Sequence, residues 1–404
     1  MVEFNKKTLD NGMIVLHEKR DVPVTTVMLG TRYGSAYEKE EEKGIAHFIE
    51  HLCFKGTEKR TAKEIACEVE KTGGLLNAFT AEEMTAYYVK LPSRHLNMAM
   101  DVLFDIFFNP VFPEEDVARE ANVICEEIRM YNDEPRMHVL KRIKENLYKK
   151  PFGIFAAGLQ ENVKKFKRED LLKRHREVYV PENSVLCVVG NNDFDDVVKM
   201  AEEFSRDVKR DLVKHNVPEV SLNNLNNEEK RDNLQQANIC LGFHFPRLGE
   251  KERYAAEVFS AILGQGMSSV LFTEVREKRG LAYAVRTFLE LGREYGYMLI
   301  YIGTDKSKTK EVEEICLQKF HDMKDLNEED IIEGKKQVIG NHDVDKEESN
   351  NTALNLIYEE ICNPCVGAES YYKYKENIEN VSLDDIKKIA DKTEYASFKL
   401  LPQD

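Results

Sequence analysis

The sequence contains an approximate internal repeat, and this repeat limits the folds open to the chain more than any other feature. Val24–Gly30 resembles Ala237–Phe243 at a separation of 213 residues, and Phe166–Lys173 resembles Val381–Lys388 at a separation of 215 residues. Self-similarity at a fixed separation is typical of a duplicated structural unit. We therefore expect two similar half-chains, each built from one β-sheet and several α-helices.

Local patterns place individual elements within this framework. Val24–Leu29 is rich in β-branched residues and predicts a strand, whereas Thr61 followed by Glu64 is a capping-box pattern that predicts the start of a helix. Residues 206–235 are polar and charged with little periodicity, which predicts a linker. The expected organisation is a first domain over residues 1–210, a linker over 211–235 and a second domain over 236–404.

Three residues of metal-site type lie together in a predicted helix of the first half. His47 and His51 are one helical turn apart, and Glu50 falls beside them within a wedge of roughly 100°. Two imidazoles so placed can bind one zinc ion, which leaves the carboxylate to handle the proton of a water molecule. The order H-x-x-E-H inverts the H-E-x-x-H pattern of many zinc proteases and is the inverzincin signature.

The second half lacks these side chains. At the separation of 213 residues, the three positions of the motif correspond to Ser260, Leu263 and Gly264. A motif that one copy retains and the other lacks is better explained by chemistry than by a requirement of folding.

A zinc ion held by two histidines needs a third protein ligand. Glu120 and Glu127 are the best candidates, because they are seven residues apart and share a face of a predicted helix to within ~20°. Glu126 points elsewhere. An acidic helix is also typical of a solvated face, but the apolar residues around this pair make that alternative less fitting.

Several segments resemble the pitrilysin family of zinc peptidases, which includes insulin-degrading enzyme and the mitochondrial processing peptidases. The resemblance runs almost the length of the chain and rests on Gly44–Thr57, Asn77–Thr80, Val123–Tyr131, Pro181–Asn183 and Arg276–Val285. It implies an α+β fold of two homologous domains, each a mainly antiparallel β-sheet packed with several α-helices, as in the processing peptidases.

The resemblance also implies roles for individual residues. It assigns the third metal ligand to Glu127, the general base to Glu50 and a supporting position beside the ligands to Glu120. Arg276 and Tyr283 match the pair that positions and polarises substrate near the zinc. An edge strand that pairs with an extended peptide would contain three further substrate-binding residues, with a fourth just after the zinc motif: Asn77, Ala78, Thr80 and Phe54.

These assignments predict a zinc-dependent endopeptidase that holds one Zn²⁺ per chain and cleaves peptides or unfolded polypeptide segments. In the larger relatives the zinc and the Arg/Tyr pair lie in different domains of a four-domain chain. A two-domain chain would therefore form a homodimer and supply Arg276 and Tyr283 in trans. The alternatives are a non-catalytic or processing-partner subunit of a heteromeric complex, and a peptide-binding chaperone.

Composition limits the environment of the protein. A formal net charge of −15 argues against a nucleic-acid partner, and no apolar run approaches the ~20 residues that a membrane helix needs. The eight cysteines are scattered rather than arranged as a disulfide framework, so a reducing compartment, the cytoplasm, is expected. Cys362 and Cys365 have C-x-x-C spacing but no second pair, which favours idle thiols over a metal or redox site.

Overall fold

The computed structural model describes residues 3–403, which form two compact units. The first unit contains the chain up to Ile128 together with residues 156–218 and 345–371. The second contains residues 129–155 and 219–344 and the chain from Tyr372 onward. Each unit has one predominantly antiparallel β-sheet and several helices, which confirms the expected α+β fold class.

The strands were expected where β-branched and apolar residues cluster, and most of them form there. The described residues form β1 (Glu3–Thr8), β2 (Ile14–Lys19), β3 (Val24–Thr31), β4 (Leu75–Thr80), β5 (Thr85–Pro92), β6 (Ser184–Gly190), β7 (Asn226–Arg231), β8 (Ala237–His244), β9 (Ala282–Leu291), β10 (Gly296–Thr304) and β11 (Ala396–Pro402).

The α-helices lie between the strands in both halves of the chain. They are α1 (Ile45–Cys53), α2 (Ala62–Glu70), α3 (Leu96–Phe108), α4 (Glu114–Asp133), α5 (Pro135–Leu147), α6 (Gln160–Val163), α7 (Arg168–Val178), α8 (Phe194–Ser205), α9 (Arg253–Gly264), α10 (Thr309–Asp322), α11 (Glu328–Asp345), α12 (Ser349–Cys362), α13 (Tyr374–Glu379) and α14 (Leu383–Ala390). The capping box predicted for Thr61 and Glu64 is present at the start of α2, with both reciprocal hydrogen bonds.

The two sheets share one topology. The first has the order β1-β2-β6-β3-β5-β4, and the second has the order β7-β11-β8-β10-β9. The first sheet has one additional edge strand, β1. In each sheet one pair is parallel, β2 with β6 and β7 with β11, and it occupies the same place when the strands are counted from the β4 and β9 edges. The repeat predicted from the sequence of β3 and β8 is therefore confirmed, since these strands hold matching central positions.

The compact units differ from the continuous halves expected over 1–210 and 236–404, because each includes a helix from the other half. Helix α5 packs on β8 and β11, and helix α12 packs on β6 and β3. A glycine permits each close approach: a Cβ at Gly242 would lie 2.8 Å from Leu147 Cδ1, and one at Gly30 would lie 3.3 Å from Ile357 Cγ2. The exchange is reciprocal, so each sheet buries apolar side chains of a helix that is distant in sequence.

The stretch expected to be a linker contains one strand. β7 is formed by Asn226–Arg231, whose residues are charged or amide-bearing and mostly exposed. It lies at the edge of the second sheet and pairs with β11 through backbone hydrogen bonds. An edge strand needs no apolar face when it contributes backbone pairing alone, so its polar sequence gave no strand signal.

Within residues 3–403, no helix is both long and apolar enough to cross a membrane.

Candidate metal and active site

Helix α1 presents the predicted metal-binding residues on one side and apolar residues on the other. Phe48, Ile49 and Leu52 are fully buried in the core of the first unit. His47 and His51 lie on the opposite face, with ring centroids 4.6 Å apart. The apolar face fixes the rotation of the helix, so both imidazoles are presented on the same side.

A buried carboxylate holds the start of α1. Glu38 accepts hydrogen bonds from the backbone N–H groups of Gly44, at 3.0 Å, and Ala46, at 2.8 Å. Gly44 has a φ of 103°, a left-handed conformation that favours glycine. Burial raises the pKa of Glu38, although the ammonium of Lys43 opposes this rise. Sequence reasoning missed Glu38, because its carboxylate reaches the helix across a loop and leaves no capping pattern at the helix start.

The structure brings the three predicted metal ligands together. Glu127 Oε2 lies 3.6 Å from His47 Nε2 and 3.5 Å from His51 Nε2. One ligand atom from each residue lies within 4.8 Å of the others. Two of the ligands come from α1 and the third from α4, so the site depends on the packing of these helices.

These residues fit a zinc ion. Tetrahedral ligand atoms ~2.1 Å from zinc lie ~3.4 Å from one another, close to the distances found here. Two imidazole nitrogens and one carboxylate oxygen form a donor set that zinc enzymes use when they keep a position open for water or substrate. Among the described residues, this is the one cluster of three or more histidine, cysteine or acidic side chains with metal-binding geometry.

The two histidines have opposite electrostatic environments. Burial and the neighbouring His51 lower the pKa of His47 to about 4. Burial acts to lower the pKa of His51 as well, but hydrogen bonds with Glu120 and Glu127 outweigh it and raise the pKa to about 9. His51 Nδ1 lies 3.1 Å from Glu120 Oε2, the contact expected of a carboxylate that orients a metal-binding imidazole.

Glu50 is held by a residue of the neighbouring sheet. The hydroxyl of Thr80, at the end of β4, donates a hydrogen bond of 2.5 Å to Glu50 Oε2. Burial raises the pKa of Glu50, and this hydrogen bond opposes the rise. The family resemblance implied that Thr80 binds substrate. In the structure its hydroxyl contacts Glu50, the predicted general base.

β4 is an edge strand, as the family resemblance implied. Its hydrogen-bonded neighbour in the described part of the chain is β5, and α1 packs against it. Asn77 and Ala78 lie in this strand, and the Asn77 side-chain oxygen accepts a hydrogen bond from the Ala78 N–H at 2.9 Å. Phe54 immediately follows α1 and packs against Tyr87 at a ring separation of 5.8 Å.

Arg276 and Tyr283 lie together in the second unit. Arg276 belongs to a single turn of π-helix, Phe272–Glu277, and Tyr283 lies near the start of β9. The guanidinium of Arg276 lies 5.0 Å from the centre of the Tyr283 ring and 4.9 Å from that of Phe272. Tyr283 is 73% exposed, so its hydroxyl is open to solvent. The two side chains therefore lie side by side, as the family resemblance implied. They belong to the unit that does not contain the predicted metal ligands.

Comparison with protein-family models matches both halves of the chain. Residues 13–155 match the insulinase model of peptidase family M16, and residues 165–338 match the model described as the peptidase M16 inactive domain. The first match includes the three ligand positions, and the second includes α9, which carries Ser260, Leu263 and Gly264 instead.

Individual relatives agree with the family models. The chain is 34% identical to an uncharacterized zinc protease of Rickettsia felis over 84% of its own length and 82% of the relative. It is 33% identical to an uncharacterized zinc protease of Bacillus subtilis over 86% of each protein. Among solved structures, a protease from Helicobacter pylori has the same fold, with a TM-score of 0.91 at 21% identity over 99% of this chain and 100% of that one.

Proposed function

The chain belongs to the insulinase family of peptidases, family M16, and on this premise we propose that it is a zinc-dependent endopeptidase that cleaves peptides or unfolded polypeptide segments. The observation that carries the proposal is the convergence of His47 Nε2, His51 Nε2 and Glu127 Oε2 beside the carboxylate of Glu50. The names of the relatives from Rickettsia felis and Bacillus subtilis support zinc and proteolysis in general terms.

His47, His51 and Glu127 would hold one zinc ion per chain. When bound, zinc would supply a Lewis acid that makes a water molecule more acidic and polarises the scissile carbonyl. Glu120 would keep His51 oriented through the hydrogen bond to Nδ1, which leaves Nε2 to face Glu127.

Glu50 would act as the general base. Its carboxylate accepts the proton of the attacking water and passes it to the nitrogen of the leaving amine. Burial raises the pKa of Glu50, which strengthens it as a base. Thr80 would fix the carboxylate by its hydrogen bond to Oε2 and leave the other oxygen for the proton transfer.

The edge strand β4 would bind the substrate backbone. An extended peptide can add to such an edge through main-chain hydrogen bonds, which do not depend on the substrate sequence. Asn77 and Ala78 lie in this strand and Phe54 follows α1, so these residues would contact the peptide. Broad specificity for extended chains follows from this mode of binding.

Arg276 and Tyr283 would act on the substrate in a homodimer. The exposed Tyr283 hydroxyl would donate a hydrogen bond to the carbonyl oxygen under attack, and Arg276 would hold the ring in place. Because the metal ligands and this pair lie in different units of one chain, each chain would supply the pair to the metal site of its partner. Mixing Glu50→Gln chains with Arg276→Ala chains tests this arrangement, and a mixed dimer with no regained activity would contradict it.

We also propose a cytoplasmic location. The support for this location is that all eight cysteines are free, since disulfide bonds are rare in cytosolic proteins.

The Glu50→Gln variant tests the proposed mechanism. We expect it to retain zinc, measured as metal content per chain, and to cleave a quenched fluorescent peptide about 10²–10⁴-fold more slowly than the wild type. A chelator should abolish wild-type cleavage, and added zinc should restore it. Full activity in Glu50→Gln would remove the general-base assignment, whereas a wild-type chain that binds zinc and cleaves no peptide would favour the non-catalytic subunit.

A further inference from the structure

Lys55 contacts the carboxylate that supports the metal site. Its ammonium donates to Glu120 Oε1 at 2.8 Å, while the other oxygen of Glu120 lies 3.1 Å from His51 Nδ1. The side chain of Glu120 is 5% exposed, whereas that of Lys55 is 29% exposed. The three side chains therefore form a chain of contacts from the protein surface to a metal ligand.

The loop that carries Lys55 is anchored on both sides. Lys55 N–H donates to the Leu52 carbonyl at 3.0 Å, and the next residue, Gly56, accepts a backbone hydrogen bond from Val111 at 3.1 Å. Thr57 donates from its hydroxyl to Asp105 Oδ2 at 2.6 Å. These contacts fix the backbone around Lys55, so its ammonium is presented to Glu120 from a defined position.

Two donors on opposite oxygens define the orientation of the Glu120 carboxylate. If Lys55 were absent, Oε1 would be left almost buried without this donor, and the carboxylate would gain from rotating away from His51 to find another partner. Rotation would weaken the hydrogen bond to Nδ1, which fixes the tautomer and ring orientation of His51. The lysine is thus placed to control a metal ligand that it does not touch.

We propose that Lys55 is a positioning residue for the metal site, which acts through Glu120 on His51 and thereby raises the affinity for zinc. This inference rests on the proposed function, because it takes His51 as a zinc ligand.

Zinc affinity of the whole chain, measured by competition with a chromogenic chelator, tests the proposal without any substrate. We expect Lys55→Met to weaken zinc binding by about tenfold, in the range typical for residues that support metal ligands. Lys55→Arg retains a donor and should stay within about threefold of the wild type. The matched control is Lys59→Met, in the same loop, because Lys59 is 64% exposed and its ammonium lies 3.8 Å from Asp101; its zinc affinity should be unchanged.

A double variant separates action through Glu120 from a general loss of structure. If Lys55 acts through Glu120, Lys55→Met combined with Glu120→Gln should bind zinc no more weakly than Glu120→Gln alone. Circular dichroism of the metal-free variants monitors folding, and Lys55→Gln replaces Lys55→Met in the same cycle if the methionine variant does not fold.

Wild-type zinc affinity in the folded Lys55→Met or Lys55→Gln variant would overturn the proposal. An additive loss in the double variant, or a failure of Lys55→Arg to restore affinity, would do so as well. These outcomes differ from failure of the proposed function, which would appear as an absence of peptide cleavage by a wild-type chain that binds zinc normally.

Discussion

The corresponding helices of the two units, α1 and α9, have different roles. In the first unit α1 places two imidazoles and a carboxylate next to the edge strand β4, and a hydrogen bond joins Thr80 of the strand to Glu50 of the helix. In the second unit α9 lies against the edge strand β9, and small side chains take the place of the imidazoles. A Cβ at Gly264 would lie only 2.5 Å from Thr287 Cγ2, and Ser260 Oγ donates to Thr287 Oγ1 at 3.1 Å.

The two helix–strand interfaces differ in how closely they pack. In α9, Ser260 and Leu263 are fully buried, so the helix and strand pack closely and leave no room for metal ligands. In α1 the corresponding positions hold polar side chains that contact Glu127 of α4 and Thr80 of β4 rather than filling a core. The second unit uses this interface for packing, and the first uses it to hold a site.

Giving α1 the residues of α9 at the two histidine positions should have the largest effect on zinc binding and cleavage. His47→Ser combined with His51→Gly, the residues found in α9, removes two of the three proposed ligands. We expect zinc affinity to fall by more than the ~10²-fold that loss of a supporting residue can cost, and peptide cleavage to fall to background. Metal content and cleavage of a quenched peptide measure these effects, and zinc retained at the wild-type level would break the comparison.

The helix–strand hydrogen bond of the first unit should matter for turnover. Thr80→Val removes the donor to Glu50 Oε2 while keeping the shape of the side chain. We expect kcat to fall by about 10- to 100-fold, equivalent to ~1.4–2.7 kcal/mol. Zinc affinity should be unchanged, because Glu50, the proposed base, loses its orientation and the proposed ligands do not. Thr80→Ser keeps the hydroxyl and should restore most of the rate; equal losses in both variants would point to packing instead.

Close packing in the second unit predicts a stability effect without a metal effect. Gly264→Ala should lower the free energy of unfolding by ~1–3 kcal/mol, because the added methyl group meets both the side chain and the backbone of Thr287. The matched control is Gly340→Ala in α11, where a Cβ has no neighbour within 4 Å. That change should raise stability by up to ~1 kcal/mol through helix propensity. Chemical denaturation of both variants decides the sign.

A buried histidine outside the site gives the smallest effect at neutral pH, because its contribution changes only in acid. His175 in α7 corresponds to Ala390 in α14 at the separation of 215 residues, and burial lowers the pKa of His175 to about 3. Between pH 6.5 and about 3 the unfolded chain binds a proton that the folded chain excludes. The contribution of His175 to stability is therefore present near neutral pH and is lost as the pH falls through this window.

His175→Gln keeps a donor for the Phe107 carbonyl but does not titrate. Relative to the wild type, the metal-free variant should lose pH dependence of up to ~1.4 kcal/mol per pH unit in this window. Denaturation curves at several pH values measure the difference, and identical slopes would show that His175 is not a buried neutral base.

Much of the fold could be predicted because the sequence contains an internal repeat. The repeat in β3 and β8 predicted two similar sheets, and the Thr61–Glu64 pair predicted the start of α2. The charged strand β7 and the exchange of α5 and α12 could not be predicted. An edge strand needs no hydrophobic pattern, and an amphipathic helix does not specify which of two similar sheets it will cover.

The sequence by itself determined which side chains share a surface within one helix. His47, Glu50 and His51 face one way because a helix has 3.6 residues per turn, and the resemblance to a known family added Glu127 as the third ligand. Only the tertiary structure decided what surrounds them. The Glu38 carboxylate at the start of α1, the Thr80 hydroxyl on Glu50 and the Lys55 ammonium on Glu120 depend on loops and strands that meet after folding. Spacing along a helix is fixed by local geometry, whereas contacts between distant segments are set by how their apolar faces pack.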